Sequence, residues 1–300
     1  MTQPWWRRFR VKGVFWRQIL RWAVLNVPIW IEPLVIAWWS AFFLLWGPGR
    51  RGVMRNLAAI KPGSSPIANF FRTYRVFWNY AWTITDNIRH REQEMIPDWQ
   101  FDGIEHFEET RTLGAGAIIL TAHMGSYDLG ASLFAQFSMR KIVVVRAPEV
   151  DPDTQQYEES NPDNRVRAGF HTAAASDLAL DLLDSVRNGE IIAITGDRVT
   201  PAIASIEGRL FGKPFRMPSG PFALAMASRA PIFPMFIMRR GRRRYELRTT
   251  QPIIVTRTSR NRDEDIRRAA GEWTRHLESA VSAAWQQWFA FEPFYEERSA

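Results

Sequence analysis

His123 and Asp128 are a pair whose types and spacing could do chemistry, in the run Thr121-Ala122-His123-Met124-Gly125-Ser126-Tyr127-Asp128. A carboxylate that folds back onto an imidazole accepts the Nδ1 proton and fixes the tautomer. Nε2 is then a base at neutral pH, able to take the proton of a hydroxyl. Glycine at 125 permits a tight turn and the close approach of a substrate. Backbone N–H groups beside it, with Arg146 from the next strand end, are candidates to hold an oxyanion. The same spacing also suits a buried structural histidine followed by a helix-capping aspartate, and the pattern alone leaves both readings open. Ser126 does not make a nucleophile elbow. Gly125 directly precedes it and Asp128 falls where the second glycine of G-x-S-x-G belongs.

These residues need a sheet edge to hold them. Residues 115–122 (AGAIILTA) form the continuous apolar run of a buried parallel strand, so His123 falls at its carboxyl end, where ligands bind in such sheets. Residues 127–137 read as a helix and 142–146 as the next strand. Residues 147–172 read as a long polar loop. A helix over 177–188, capped by Ser176 and ended by Asn188-Gly189, leads to a strand at 191–195 and an outward turn at Gly196-Asp197-Arg198. A strand at 205–211, a helix at 219–228, a hairpin of 232–238 with 245–250, and an amphipathic helix over 262–289 complete the pattern. Strands interleaved with helices predict an α/β fold with a mixed central sheet flanked by helices.

The charge is unevenly spread. The net formal charge is +8, yet residues 1–61 alone carry +9, with ten basic residues and the single acid Glu32. The same stretch holds eight of the fourteen tryptophans. Arginine is drawn to anionic lipid and tryptophan to the headgroup level, so the basicity reads as a membrane surface and not as nucleic-acid binding. Residues 27–46 are long and apolar enough to span a bilayer, but Glu32, Pro28 and Pro33 interrupt them. We expect a helical segment lying in the membrane interface, with domains at 1–62 (anchor) and 63–300 (catalytic). The absence of cysteine excludes disulfides and a thiol nucleophile. His90, His106, His171 and His276 show no metal-ligand spacing, and no metal or resident cofactor is expected. Five arginines in six residues, 239–244, read as a solvated turn or as a surface for anionic lipid or an acidic carrier protein. Arg146 and Arg198 are candidates for a phosphate of donor or acceptor, with a surface salt bridge as the competing reading for each.

His123-x4-Asp128 after a hydrophobic strand resembles the signature of the lysophospholipid acyltransferase superfamily. Further blocks resemble its lipid A late-acyltransferase branch. They are Arg50 to Leu57 (RRGVMRNL), and Gly189-Glu190-Ile191-Ile192 leading to Gly196-Asp197-Arg198, with arginine where glutamine is usual. They continue with Leu210-Phe211-Gly212-Lys213-Pro214 before Pro218 and Gly220, and with Pro231-Ile232-Phe233-Pro234. The resemblance runs in one order along nearly the whole chain. It implies a glycerol-phosphate acyltransferase-like fold and an enzyme at the cytoplasmic face of a bacterial inner membrane. Such an enzyme moves a fatty acyl chain from an acyl carrier protein or CoA thioester to a hydroxyl of a lipid or glycolipid such as lipid A. It further implies His123 and Asp128 as the catalytic pair, with Gly125, Ser126, Asp197, Phe211 and Gly212 binding substrate. Arg146 and Arg198 join the expected substrate-binding residues for their fit to phosphate, Arg198 being a departure from the branch's pattern. Competing readings are an acyltransferase for another acceptor (a different glycolipid, an ornithine-type lipid, a polyene or pigment ester) and a non-catalytic basic adaptor.

Overall fold

The computed structural model describes residues 14–93, 97–112, 116–127, 129–130, 140–146, 166–170, 175–199 and 203–295. The amino-terminal part is helical: α1 (Val14–Asn26), α2 (Glu32–Trp46), α3 (Arg50–Ile60) and α4 (Pro66–Gln93). Among the described residues no helix is long and apolar enough to cross a membrane. Pro33 sits in the first turn of α2, where its missing N–H costs nothing. Glu32, Ile36, Ser40 and Leu44, four apart, form the buried stripe of α2. Leu34, Trp38, Phe42, Leu45 and Trp46 on its other sides remain exposed. The acid that interrupted the apolar run has a partner: Glu32 Oε2 accepts from Arg89 of α4 at 2.9 Å, and both side chains are buried. Breaking such a pair from one side would strand a charge in the protein interior.

Asn56 of α3 ties this layer to the far end of the chain. Its amide donates to the carbonyls of Ala290 and Glu292, and its oxygen accepts from the Phe294 N–H. A side chain at Gly52 would collide with the Phe291 carbonyl, 2.1 Å from the position of its Cβ, so α3 can lie against the terminal segment only with glycine there.

The sheet has seven strands among the described residues, in the order β1-β9-β8-β2-β5-β3-β4. They are β1 (Asp98–Asp102), β2 (Ala117–Thr121), β3 (Ile142–Arg146), β4 (Val166–Phe170), β5 (Ile191–Thr195), β8 (Ile232–Gly241) and β9 (Arg244–Thr249). β8 and β9 pair antiparallel, and every other pairing in this sheet is parallel. Alternate residues of the central strands point to opposite faces, and both faces are dry. Ile118, Leu120, Ile192 and Ile194 meet Leu182 and Val186 of α6 (Ala175–Arg187), Phe222 of α7 (Gly220–Ser228) and Trp273 of α8 (Arg262–Ala284). Ala117, Ile119 and Ile191 meet Phe107 of α5 (Glu105–Thr112), with Tyr245 and Leu247. A separate hairpin, β6 (Ser205–Leu210) with β7 (Lys213–Pro218), lies against α8.

Two expectations need correction, and a third falls largely outside the described residues. Residues 166–170, assigned by sequence to the long loop, are the edge strand β4 paired with β3; the rest of that loop, at 147–165 and 171–172, lies outside the described residues. The helix expected over 127–137 also falls largely outside them. The last helix ends at Ala284 and not at 289. A 3-10 turn, Trp285–Gln287, follows it, and the chain then runs extended beside the His123 turn, where Trp288 bridges Met124. The buried Gln287 fixes the segment beyond the break. Its amide group accepts from the Arg239 N–H and donates to the Arg239 carbonyl, bonds made outside a continuing helix.

Candidate active site

The site is built by a register. In the parallel ladder of β2 and β5, Thr121 stands opposite Thr195. Both strands end there, and the Gly196 N–H donates to the Thr121 carbonyl at 2.7 Å. The second residue past each end is His123 on one side and Asp197 on the other. Asp197 Oδ1 lies 2.7 Å from His123 Nδ1, and its Oδ2 accepts from the His123 backbone N–H at 3.0 Å. The indole N–H of Trp288 donates to the same Oδ2 at 2.9 Å.

Burial separates the two partners. The Asp197 side chain is fully buried, whereas the His123 side chain is 21% exposed. Burial pushes the Asp197 carboxyl up. The attraction of His123, its hydrogen bond, the Arg198 charge and the Trp288 donor outweigh that, and its pKa falls to about 2. The carboxylate is therefore ionised across the physiological range. It selects the His123 tautomer protonated at Nδ1, so the basic lone pair sits on Nε2. Tyr127 meets the imidazole edge-on at 5.3 Å.

The turn after β2 is tightly held. Gly125 has φ +55°, and a Cβ there would lie 1.8 Å from the Ile237 carbonyl oxygen of β8. Only glycine meets both conditions. The Gly125 N–H donates to Gln287, the Ser126 N–H to Ile237, and the His123 carbonyl accepts from the Phe289 N–H.

These contacts revise several site expectations. Asp128 lies outside the described residues, and the acceptor that His123 Nδ1 meets is Asp197, which the sequence reading had placed against substrate. Asp197 is too deeply buried for that. The reason is that strand neighbours on β2 and β5 are adjacent in space whatever their separation in the chain. The N–H groups of residues 123–126 each have an acceptor within the fold, so the oxyanion donors expected around Gly125 are already engaged. Ser126 is fully buried, and its hydroxyl has no partner among the described residues.

Arg198 is exposed beside the pair and donates to the Phe289 carbonyl. Arg146 closes β3 at the same sheet edge, and its side chain lies outside those described. Phe211 and Gly212 sit at the tip of the separate β6–β7 hairpin, with the Phe211 N–H on the Glu278 carboxylate. None of the described contacts brings either to His123.

Sequence reasoning missed Trp288 and Gln287, because the apolar stripe of α8 absorbs Trp288 without remainder. It also missed a buried cluster beneath the arginine turn. Arg239 is not part of a solvated row: its Nε donates to Asp86 Oδ2 of α4 at 2.6 Å, and its guanidinium covers the Trp82 ring. The Tyr245 hydroxyl donates to the same carboxylate at 2.8 Å. Arg240 pairs with Glu246. Arg242, Arg243 and Arg244 remain exposed. The signal available was the run itself, since Arg239 and Arg240 still belong to β8 and Arg244 opens β9.

Residues 19–296 match the family described as bacterial lipid A biosynthesis acyltransferases. Among curated proteins, the chain is similar to phosphatidylinositol mannoside acyltransferases of two strains of Mycobacterium tuberculosis, H37Rv at 23% identity and CDC 1551 at 22%, each over 204 residues. The matched region is 65% of this chain and spans 63% of the length of those relatives.

Proposed function

We propose, from the premise that this chain belongs to the family of bacterial lipid A biosynthesis acyltransferases, that it transfers a fatty acyl chain from a thioester to a hydroxyl of a membrane glycolipid, with His123 as the general base. The single observation that carries the reading is the 2.7 Å contact between His123 Nδ1 and the buried Asp197 carboxylate. His123 Nε2 takes the proton of the acceptor hydroxyl as its oxygen attacks the thioester carbonyl. Asp197 steadies the imidazolium that forms. The tetrahedral oxyanion collapses with breakage of the C–S bond, and the imidazolium returns its proton to the leaving thiolate. The products are an ester and a free thiol. Transfer is direct, with no acyl-enzyme. Arg198, exposed beside the pair, is suited to a phosphate of donor or acceptor. The donor is the thioester of an acyl carrier protein or of CoA. The relatives' name favours a glycolipid acceptor over other hydroxyls.

The place of the reaction is the cytoplasmic face of the bacterial inner membrane, where such thioesters are made. Its support is the exposed apolar row Leu34, Trp38, Phe42 and Trp46 on α2, with Ile29 and Trp30 before it and Ile67 and Phe71 on α4. Exposed aromatic and aliphatic side chains on a strongly basic segment fit an anionic bilayer better than water.

The test uses the full-length protein in detergent or vesicles, a long-chain acyl-CoA or acyl carrier protein thioester, and a bacterial lipid extract. Thiol release and the mass of the acylated lipid are read. His123→Ala is expected to lower turnover by roughly 10²–10⁴ or more while the protein stays folded. Near-normal turnover in that variant would overturn the assignment.

A further inference from the structure

The Asp197 carboxylate is held from a third side, by a part of the chain outside the two strand ends. Trp288 is 3% exposed and donates its indole N–H to Oδ2 at 2.9 Å. It does not reach there by a free rotamer. Met124 and Trp288 form an antiparallel bridge, the Phe289 N–H donates to the His123 carbonyl at 2.8 Å, and the Trp288 N–H to Trp285 at 3.2 Å. The Trp288 ring packs on Phe294, which Asn56 of α3 fixes by its backbone. The segment after α8 therefore lies as a short added strand along the His123 turn and presents an indole to the far oxygen of the carboxylate.

We propose that Trp288 is a positioning residue for the catalytic pair: its indole N–H, with the His123 backbone N–H, holds Oδ2 of Asp197, so that Oδ1 faces His123 Nδ1 and rotation of the carboxylate would break both bonds. This deepens the reading of His123 as base and rests on it. A donor on Oδ2 also draws charge away from Oδ1. Removing it leaves Asp197 a stronger attractor of the imidazolium, so the basicity of His123 rises. Removing the charge itself, as in Asp197→Asn, does the opposite. Other charged and titratable neighbours are Arg198 on the same exit loop and Tyr127 against the imidazole. Further along β8 is Arg239, which Asp86 neutralises. Trp288→Phe changes none of these groups.

The experiment follows the His123 imidazole by NMR in the full-length protein, with the resonance assigned by its loss in His123→Gln, alongside the pH profile of kcat/KM for cleavage of a long-chain acyl-CoA. In Trp288→Phe the imidazole titration and the acid limb are expected to move up, and in Asp197→Asn to move down. The plateau of kcat/KM in Trp288→Phe falls about tenfold through kcat with KM unchanged, the mark of a lost transition-state interaction. A titration unmoved in Trp288→Phe, or moved the same way as in Asp197→Asn, overturns the proposal. A merely structural tryptophan would lower activity without moving the limb. If Trp288→Phe does not fold, the wild-type protein supplies the measurement. The Trp288 indole proton is expected to be shifted downfield and protected from exchange, and an indole exchanging freely rejects the idea. Because the titration is read from the ring itself, it reports on Trp288 even if His123→Ala were to leave thioester transfer intact.

Discussion

Thr121 and Thr195 are partners at the last step of the β2–β5 ladder, and that register delivers His123 and Asp197 to one hydrogen bond. The His123–Asp197 contact is a property of two strand ends, so its strength depends on what keeps those ends in register and the carboxylate ionised.

Asp197→Asn keeps the volume of the side chain and removes its charge. The amide can still accept from the His123 backbone, but it no longer compels the Nδ1–H tautomer or supports the imidazolium. Turnover is expected to fall by roughly 10²–10⁴, with KM for the thioester little changed. Equal activity in the variant, measured as thiol release, would remove Asp197 from the pair.

Acid stability follows from the same group. Its folded pKa lies near 2, below the ordinary value of 3.8. A depressed carboxyl stabilises the fold fully above its unfolded pKa, and the contribution is lost as pH falls through the folded one. Stability owed to Asp197, on the order of 2 kcal/mol, should therefore be present above about pH 4 and vanish toward pH 2. Urea unfolding across that window should show a steeper loss for the wild type than for Asp197→Asn. Parallel curves would contradict it.

Gly125→Ala combines two penalties. The left-handed backbone costs an alanine about 1–2 kcal/mol, and the added methyl would meet the Ile237 carbonyl. The turn must shift, and His123 with it. Activity is expected to fall well before stability does, with the far-ultraviolet spectrum and the bulk of the unfolding transition preserved. Full activity in the variant would show that the turn has room the geometry denies.

Asp86→Ala leaves Arg239 and the Tyr245 hydroxyl without their shared acceptor in a buried place. Removing one partner of such a group costs about 3–5 kcal/mol, whereas Tyr245→Phe, which removes a single donor, should cost about 1 kcal/mol. Denaturant midpoints would separate the two. Because Gln287 bonds both the N–H and the carbonyl of Arg239, Asp86→Ala should lower activity as well as stability.

Trp38 and Phe42 face outward on α2, 63% and 36% exposed. Trp38→Asp with Phe42→Asp should leave the melting temperature close to wild type and shift the protein from vesicles of anionic lipid to the supernatant. Sedimentation with vesicles measures this directly. Unchanged binding would place the membrane contact elsewhere.

The amino-acid sequence by itself determined the elements whose signal is local. The apolar run before His123, the turn at Gly125, the strand before Asp197 and the β8–β9 hairpin are each written in the period and composition of a few adjacent residues. The concentration of charge and tryptophan at the amino terminus is equally plain. Only the tertiary structure decided that a carboxylate from another strand end meets His123: Asp197, 74 residues away along the chain, is its neighbour across the sheet. Strand order and register are set by the packing of whole faces, and no window of sequence carries them. The same holds for Trp288, which α8 leaves behind at Ala284 to lie along the His123 turn, and for Arg239, which reaches Asp86 across 153 residues. A side chain's type says what bonds it can make, and the folded chain decides which partner is near enough to make them.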